Sequence, residues 1–170
     1  MTKTLTSGAL ASGTALIAAI FCAAPASAAT VGGTLATNAT VTANCTVSTS
    51  ALDFGNVDTI SGSNVDGTGG LSVTCTNGTD WTASAGVGAG TGASFASRKM
   101  TGGANLLDYN LYTTSGYATV WGDGTGSTAT IGGTGSGSAQ AVTVYGRVGS
   151  GQTSVPAGAY ADTVAVTITY

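Results

Sequence analysis

Short segments in which apolar and polar residues alternate recur along most of this 170-residue chain. Such alternation is typical of β-strands with one buried face, and Gly, Asn, Asp and Ser separate the segments as they separate strands joined by tight turns. No segment has a convincing helical period, and about seven or eight short strands in one domain favour an all-β sandwich over a barrel. The strand-like segments are 30–42, 45–47, 52–54, 71–75, 81–87, 107–111, 119–121, 141–145 and 163–170, and residues 122–137 are expected to form a long loop or a Gly-weakened hairpin.

The composition excludes several kinds of catalytic site. The chain has 28 glycines but no histidine and no glutamate. Ser-His-Asp and Cys-His arrangements and metal sites built on histidine are therefore excluded. Nothing in the sequence indicates that Asp53 and Asp58 form a carboxylate pair, so turn and strand-end roles are expected for both. We predict no enzymatic activity, no cofactor and no metal.

The N-terminal 28 residues have the pattern of a secretory signal peptide. Lys3 precedes an apolar stretch at 15–21, and residues 25–28 form a small-x-small cleavage pattern. The apolar stretch is shorter than the ~20 residues that span a bilayer, and no comparable stretch follows, so no membrane anchor is expected. Cleavage would leave 142 residues, enough for one domain, with a net charge of −4 from three cations and seven aspartates. This acidic balance argues against nucleic-acid binding.

Two cysteines, Cys45 and Cys75, remain after such cleavage. In an oxidising export compartment an even pair is expected to close as one disulfide, the alternative being two unpaired buried thiols. In the chain-entropy model this closure stabilises the fold by roughly 3–4 kcal/mol.

Several polar and aromatic residues allow either a binding role or a structural one. Arg98 and Lys99 are the only adjacent cations, and they could meet an acidic patch on a neighbour, although a solvated turn is the more typical role. The run from Trp121 to Gly124 could contact calcium or a glycan, but Gly-Asp-Gly more often forms a turn. Trp81 and Trp121 motivate an alternative function, a secreted glycan-binding or adhesive β-sandwich module that acts as a monomer.

Both ends of the mature chain lack an obvious partner. The segment 163–170 has the strongest alternation and belongs inside a sheet, yet no residues follow it to supply the next strand. About fifteen residues precede Cys45 after the cleavage site, enough for ~45–50 Å of extended chain. Residues 30–42 could add a strand to a neighbour's open edge or form the first strand of their own domain, and the pattern alone does not decide.

Seven short motifs follow one another in a fixed order between Cys45 and Val164. They are Cys-Thr-Val at 45–47, Leu-Asp-Phe-Gly at 52–55, Leu-Ser-Val-Thr-Cys at 71–75, Tyr-Asn-Leu-Tyr at 109–112, Val-Trp-Gly-Asp-Gly-Thr-Gly at 120–126, Val-Tyr-Gly-Arg at 144–147 and Val-Pro-Ala-Gly-Ala-Tyr-Ala-Asp-Thr-Val at 155–164. In this order and spacing the chain resembles the spore coat U domain family, the pilin subunits of archaic chaperone–usher systems.

The resemblance implies an incomplete immunoglobulin-like β-sandwich that is completed by a donated strand. A periplasmic chaperone would supply that strand until the N-terminal extension of the next subunit replaces it. The chain would then consist of a signal peptide (1–28), an N-terminal donor strand (29–43) and the pilin domain (44–170). The donor residues would be Val31, Leu35, Ala39 and Val41, and the acceptor groove and chaperone-binding edge would be lined by Val164, Val166, Ile168 and Tyr170.

The function implied by the resemblance is structural. The chain would be a shaft or adaptor subunit of a surface pilus that polymerises by donor-strand complementation and supports adhesion and biofilm formation. Its partners would be identical or related pilin subunits, a periplasmic chaperone and an outer-membrane usher. It would be exported through the periplasm to the cell surface.

Overall fold

The computed structural model describes residues 25–170, so residues 1–24, which include most of the predicted signal peptide, lie outside the described residues. The chain divides into one unit that ends at Ala39 and a second unit that spans Thr40–Tyr170. Residues 25–44 belong to no strand, so the first strand that the pattern allowed over 30–42 is not formed. Among the described residues there is no helix long and apolar enough to cross a membrane.

The second unit is built from ten β-strands, and seven of the predicted strands are confirmed. The strand predicted at 52–54 is wrong, the donor role of residues 30–42 stays a prediction, and β4, β7 and β8 were not predicted individually. The strands are β1 (Cys45–Ser50), β2 (Val65–Cys75), β3 (Asp80–Ala85), β4 (Arg98–Gly102), β5 (Asn105–Tyr112), β6 (Val120–Trp121), β7 (Thr128–Ala129), β8 (Ile131–Thr134), β9 (Gln140–Val148) and β10 (Val166–Thr169).

The strands form two sheets. Sheet A has the order β1-β2-β9-β5-β6-β7, and β4 also pairs with β5, whereas sheet B has the order β10-β3-β8. Only the β6–β7 pairing is parallel among the described ladders. Because β7 pairs with β6 and β8 pairs with β3, residues 122–137 form neither a plain loop nor a hairpin of their own. The predicted all-β sandwich is confirmed.

One hydrophobic core lies between the two sheets. Its fully buried members include Val73 of β2, Ala83 of β3 and Val148 of β9. Trp121 is 2% exposed, and its Nε1 donates to the carbonyl of Ala83 at 3.0 Å, which ties sheet A to sheet B. Trp81 is 4% exposed. The surface role in sugar stacking that both tryptophans allowed is therefore wrong.

The predicted disulfide between Cys45 and Cys75 is confirmed. Cys45 is the first residue of β1 and Cys75 the last of β2, and they lie directly opposite each other in the ladder. The bond therefore joins β1 to β2 at the point where the N-terminal segment enters the domain.

The segment predicted as a strand at 52–54 packs without a partner strand. Leu52 and Phe54 are half-buried and lie over glycines of sheet A. A Cβ atom at Gly146 would come within 2.7 Å of Leu52 Cδ1 and 2.8 Å of Phe54 Cζ. The alternation in this segment therefore reflects two side chains that fill the space above small residues, and a ladder is absent.

Candidate strand-acceptor groove

The sandwich is open along one side, where β1 ends sheet A and β10 ends sheet B. Each of these strands has a hydrogen-bonded neighbour on one side only among the described residues, and the two strands approach each other across the gap. An unpaired edge is a row of backbone donors and acceptors that can pair with a further strand. We call the space between β1 and β10 the groove.

Backbone hydrogen bonds show which residues of β10 face the groove. The amide of Gly86, which follows β3, donates to the carbonyl of Ala165 at 2.9 Å. Because bonded and open positions alternate along an antiparallel ladder, Thr167 bonds to β3 while the backbone groups of Val166 and Ile168 point to the open edge. The same two residues lie opposite buried alanines of β3 and turn their side chains inward. Their backbone groups and apolar side chains could thus both engage an incoming strand.

The open edge of β1 follows the same rule. The amide of Thr76 donates to the carbonyl of Asn44 at 2.9 Å, so alternate residues from Thr46 onward bond to β2. The backbone groups of Val47 point away from β2. Val47 lies opposite the buried Val73 and is itself 40% exposed, which is high for an apolar residue on the core face. An added strand on this side would cover it.

The groove continues past the end of β1 and the start of β10 between residues 51–60 and 153–164, and this larger space has a volume of about 1160 Å³ with a mostly apolar lining. Its floor is formed by side chains that are already buried, so the groove is the upper part of the core, open to solvent. The larger apolar side chains that line it are Leu52, Phe54, Val57, Ile60, Leu71, Met100, Leu107, Tyr109, Leu111, Trp121, Val144, Val155, Tyr160, Val164 and Val166. A solvated apolar groove of this kind gains free energy when an apolar segment covers it.

The polar groups on the wall of the groove are paired within the domain. The Tyr109 hydroxyl donates to Asp162 Oδ2 at 2.6 Å, and Asp162 Oδ1 accepts from the amides of Ala89 and Thr163, both at 2.7 Å. Burial, followed by the hydrogen bond to Asp162, raises the pKa of the Tyr109 hydroxyl. Because these groups are satisfied, an apolar occupant would leave no donor or acceptor of this cluster unpaired.

Arg98 is not in a solvated turn, and that expectation is wrong. It lies in β4 and is fully buried, with Nη1 2.6 Å from Asn110 Oδ1. Its Nη2 donates to the carbonyls of Gly86 and Trp121 at 2.8 and 2.7 Å, and its Nε donates to the Gly86 carbonyl at 3.0 Å. Lys99, on the other face of β4, forms an ion pair with Asp108. Neither cation is free to meet an acidic patch on a neighbour.

The contacts of Arg98 position the groove floor. Gly86 immediately follows β3, and Trp121 lines the groove. The guanidinium therefore joins sheet A to the end of β3 from within the core. Burial lowers the pKa of Arg98, but an arginine stays protonated in proteins, so its charge is balanced by carbonyl and amide oxygens.

The structure brings only some of the residues predicted for the acceptor groove and the chaperone-binding edge to this groove, and their role there stays a prediction. Val164 and Val166 line it. Ile168 is half-buried and packs against the core on the same face of sheet B. Tyr170 follows the end of β10 and is 56% exposed. The floor residues from β5 and β6 were absent from the prediction, although the alternation of Leu107, Tyr109 and Leu111 already placed them on one face of a strand.

The residues predicted to form the donor strand are exposed. Val31, Leu35 and Val41 have 99%, 88% and 83% of their surface accessible, and Ala39 is also exposed. All three are large aliphatic residues at odd-numbered positions, and such exposure is unusual for a segment that never meets a partner. Their role as donor residues stays a prediction.

The aspartates that allowed a catalytic or calcium-binding role are in turns. Asp53 Oδ1 accepts from the amide of Gly55 at 2.8 Å, and Asp58 Oδ1 from that of Ile60 at 2.9 Å. Asp123 Oδ1 accepts from the amide and the hydroxyl of Thr125, and these hydrogen bonds lower the pKa of Asp123. No cluster of three or more potential metal ligands occurs among residues 25–170.

Comparison with known proteins identifies a matching family model and a solved structure with a similar fold. The model of the Spore Coat Protein U domain matches residues 31–167. No curated protein matches the chain. Among the solved structures, the chain is similar to a chain of the CsuC–CsuE chaperone–tip adhesion subunit pre-assembly complex from archaic chaperone-usher Csu pili of Acinetobacter baumannii, with a TM-score of 0.55 and 20% sequence identity.

The structural similarity covers 77% of this chain and 40% of that chain, so this protein spans about two fifths of the length of its structural neighbour. At this identity the similarity shows the fold alone. The family model covers most of the chain, including the N-terminal segment from Val31 and β10 up to Thr167. The chain therefore belongs to the Spore Coat Protein U domain family.

Proposed function

We propose that this chain is a structural, non-enzymatic subunit of a chaperone–usher surface pilus, in a shaft or adaptor position. Residues 31–41 of one subunit would enter the groove of the next as its missing strand. The observation that carries the proposal is the groove itself, with two unpaired strand edges and an apolar floor in a chain that also exposes an apolar segment.

The exposed segment and the groove are chemically complementary. Burying a Val or Leu side chain stabilises a complex by ~1.5–3 kcal/mol, and each new backbone hydrogen bond adds about 1 kcal/mol. Val31, Leu35 and Val41 with a ladder along β10 would therefore contribute several kcal/mol before the cost of association. An inserted strand would also remove the two open edges, which otherwise promote uncontrolled aggregation.

The proposed partners and location rest on the open groove together with the family and the structural neighbour. Before assembly the groove needs a temporary occupant, and the structural neighbour was crystallised as a chaperone–subunit pre-assembly complex. We therefore propose a periplasmic chaperone, an outer-membrane usher and identical or related subunits as partners, and the cell surface as the final location, with a role in adhesion and biofilm formation. The glycan-binding monomer is not favoured, because the two tryptophans that motivated it are buried.

Deleting residues 30–40 is expected to abolish polymers, because it removes the donor residues Val31, Leu35 and Ala39 while leaving β1 and the disulfide intact. The measurement is the ladder of heat-labile oligomers in unheated detergent gels. A matched control replaces Thr34 and Thr40, on the opposite face of the segment, with alanine and should keep the ladder. A deletion variant that polymerises like the unmodified protein would contradict the proposal.

A further inference from the structure

The residues just before β1 are held by a single side chain. Thr76, which follows β2, accepts a hydrogen bond at its Oγ1 from the amide of Asn44 at 3.1 Å. The same oxygen lies 3.4 Å from the carbonyl of Thr42 and 3.3 Å from that of Asn44, and its proton can be donated to either. The Thr76 hydroxyl therefore bonds to the chain on both sides of Ala43.

These contacts extend the β1–β2 ladder beyond the disulfide. The amide of Thr76 donates to the carbonyl of Asn44 at 2.9 Å, one position before the Cys45–Cys75 pair. Residues 40–44 contain no turn and no bend. The chain thus leaves β1 in an extended conformation that Thr76 and the disulfide fix together.

If residues 42–44 formed a turn, the N-terminal segment could insert into the groove of its own chain instead of the groove of another subunit. Hairpin loops commonly have two to five residues, so three residues are enough to fold the preceding segment back beside the open edge of β1. That edge borders the chain's own groove. A segment tethered so closely has an effective concentration in the millimolar range, so self-insertion would compete strongly with insertion into a second copy.

We propose that Thr76 is a positioning residue that keeps residues 42–44 in line with β1 and thereby favours insertion of the N-terminal segment into another subunit over insertion into its own groove. This inference rests on the proposed function. The isosteric variant Thr76→Val removes the hydroxyl but keeps the shape and β-branching. Losing one net hydrogen bond is expected to shift the ratio of self-inserted to intersubunit product about fivefold towards self-insertion.

The test uses the full chain carrying Leu35→Cys and Val166→Cys, treated with a bismaleimide reagent that leaves the disulfide intact. Gel mass separates crosslinks within one chain from crosslinks between chains, and peptide mapping confirms the linked positions. Thr76→Val should raise the ratio of intrachain to interchain product about fivefold. Thr76→Ser, which keeps the hydroxyl, should restore the original ratio.

Thr74→Val is the matched control. Thr74 lies two positions earlier on the same face of β2 and makes no side-chain hydrogen bond within the described part of the chain, so its replacement should leave the ratio unchanged. An unchanged ratio in Thr76→Val, with interchain crosslinks still present, overturns the role of Thr76 and leaves the proposed function intact. A reference protein that never crosslinks between chains overturns the proposed function and this inference together.

Discussion

Replacing Arg98 with alanine is expected to destabilise the domain by about 3–5 kcal/mol, one of the two largest effects of a single substitution that we predict. The change leaves the carbonyls of Gly86 and Trp121 without the guanidinium donors that they share in the core. It also leaves a cavity, which adds to the cost because the neighbouring side chains relax only in part. Arg98→Lys should recover little, since an ammonium cannot reach the three groups that the planar guanidinium spans.

The measurement is equilibrium unfolding of the monomeric fraction in urea, followed by the fluorescence of the buried Trp81 and Trp121. Lys99→Ala is the matched control, because Lys99 lies next to Arg98 but forms a partly exposed ion pair with Asp108. Exposed ion pairs contribute about 0–1 kcal/mol. If both variants lose the same small amount of stability, the structural role assigned to Arg98 is wrong.

Replacing Val166 with aspartate is expected to abolish assembly while the domain stays folded. Val166 turns its side chain into the groove from the open edge of β10. Without an occupant, water can solvate a carboxylate at this edge, but an inserted strand would bury it without a partner. That burial costs several kcal/mol, which corresponds to an affinity reduced on the order of a hundredfold or more.

Thr167→Asp on the opposite, exposed face of the same strand is the control, since it adds the same charge outside the groove. Polymers are measured in unheated detergent gels, and the fold of each variant is checked by near-ultraviolet circular dichroism. The groove is not the acceptor site if Val166→Asp polymerises as well as Thr167→Asp.

Much of the fold could be predicted because strand patterns are local. Alternation alone indicated β2, β3, β5, β9 and β10, and the even cysteine count together with export indicated the disulfide. Alternation misled at 52–54. Leu52 and Phe54 flank a polar residue as they would in a strand, but their side chains pack over glycines and the segment pairs with no other strand of the described chain. Alternation also failed for β7, which has only two residues, and for β8, in which two of the four residues are glycine, so neither strand has a pattern of its own.

The site could be predicted only in outline because its contacts are distant in sequence. The acceptors of Arg98 lie 12 and 23 positions away, so a cation pair in a polar region looked like a solvated turn. Trp121 is followed by a turn sequence, yet its ring is in the core and its Nε1 bonds to Ala83, 38 positions earlier. Alternation placed Val164 and Val166 on the apolar face because the segment 163–170 is long enough to show which face is apolar, and both side chains line the groove. Their role as acceptor residues stays a prediction.

The central claim is that the N-terminal segment of one subunit fills the groove of another. Its most direct test mixes two singly substituted chains, one with Leu35→Cys and one with Val166→Cys, during assembly and then adds a thiol crosslinker. The account predicts a crosslinked heterodimer, and a much weaker product when Thr167→Cys replaces Val166→Cys. No crosslink between the two chains, or equal crosslinking to both faces of β10, would contradict it.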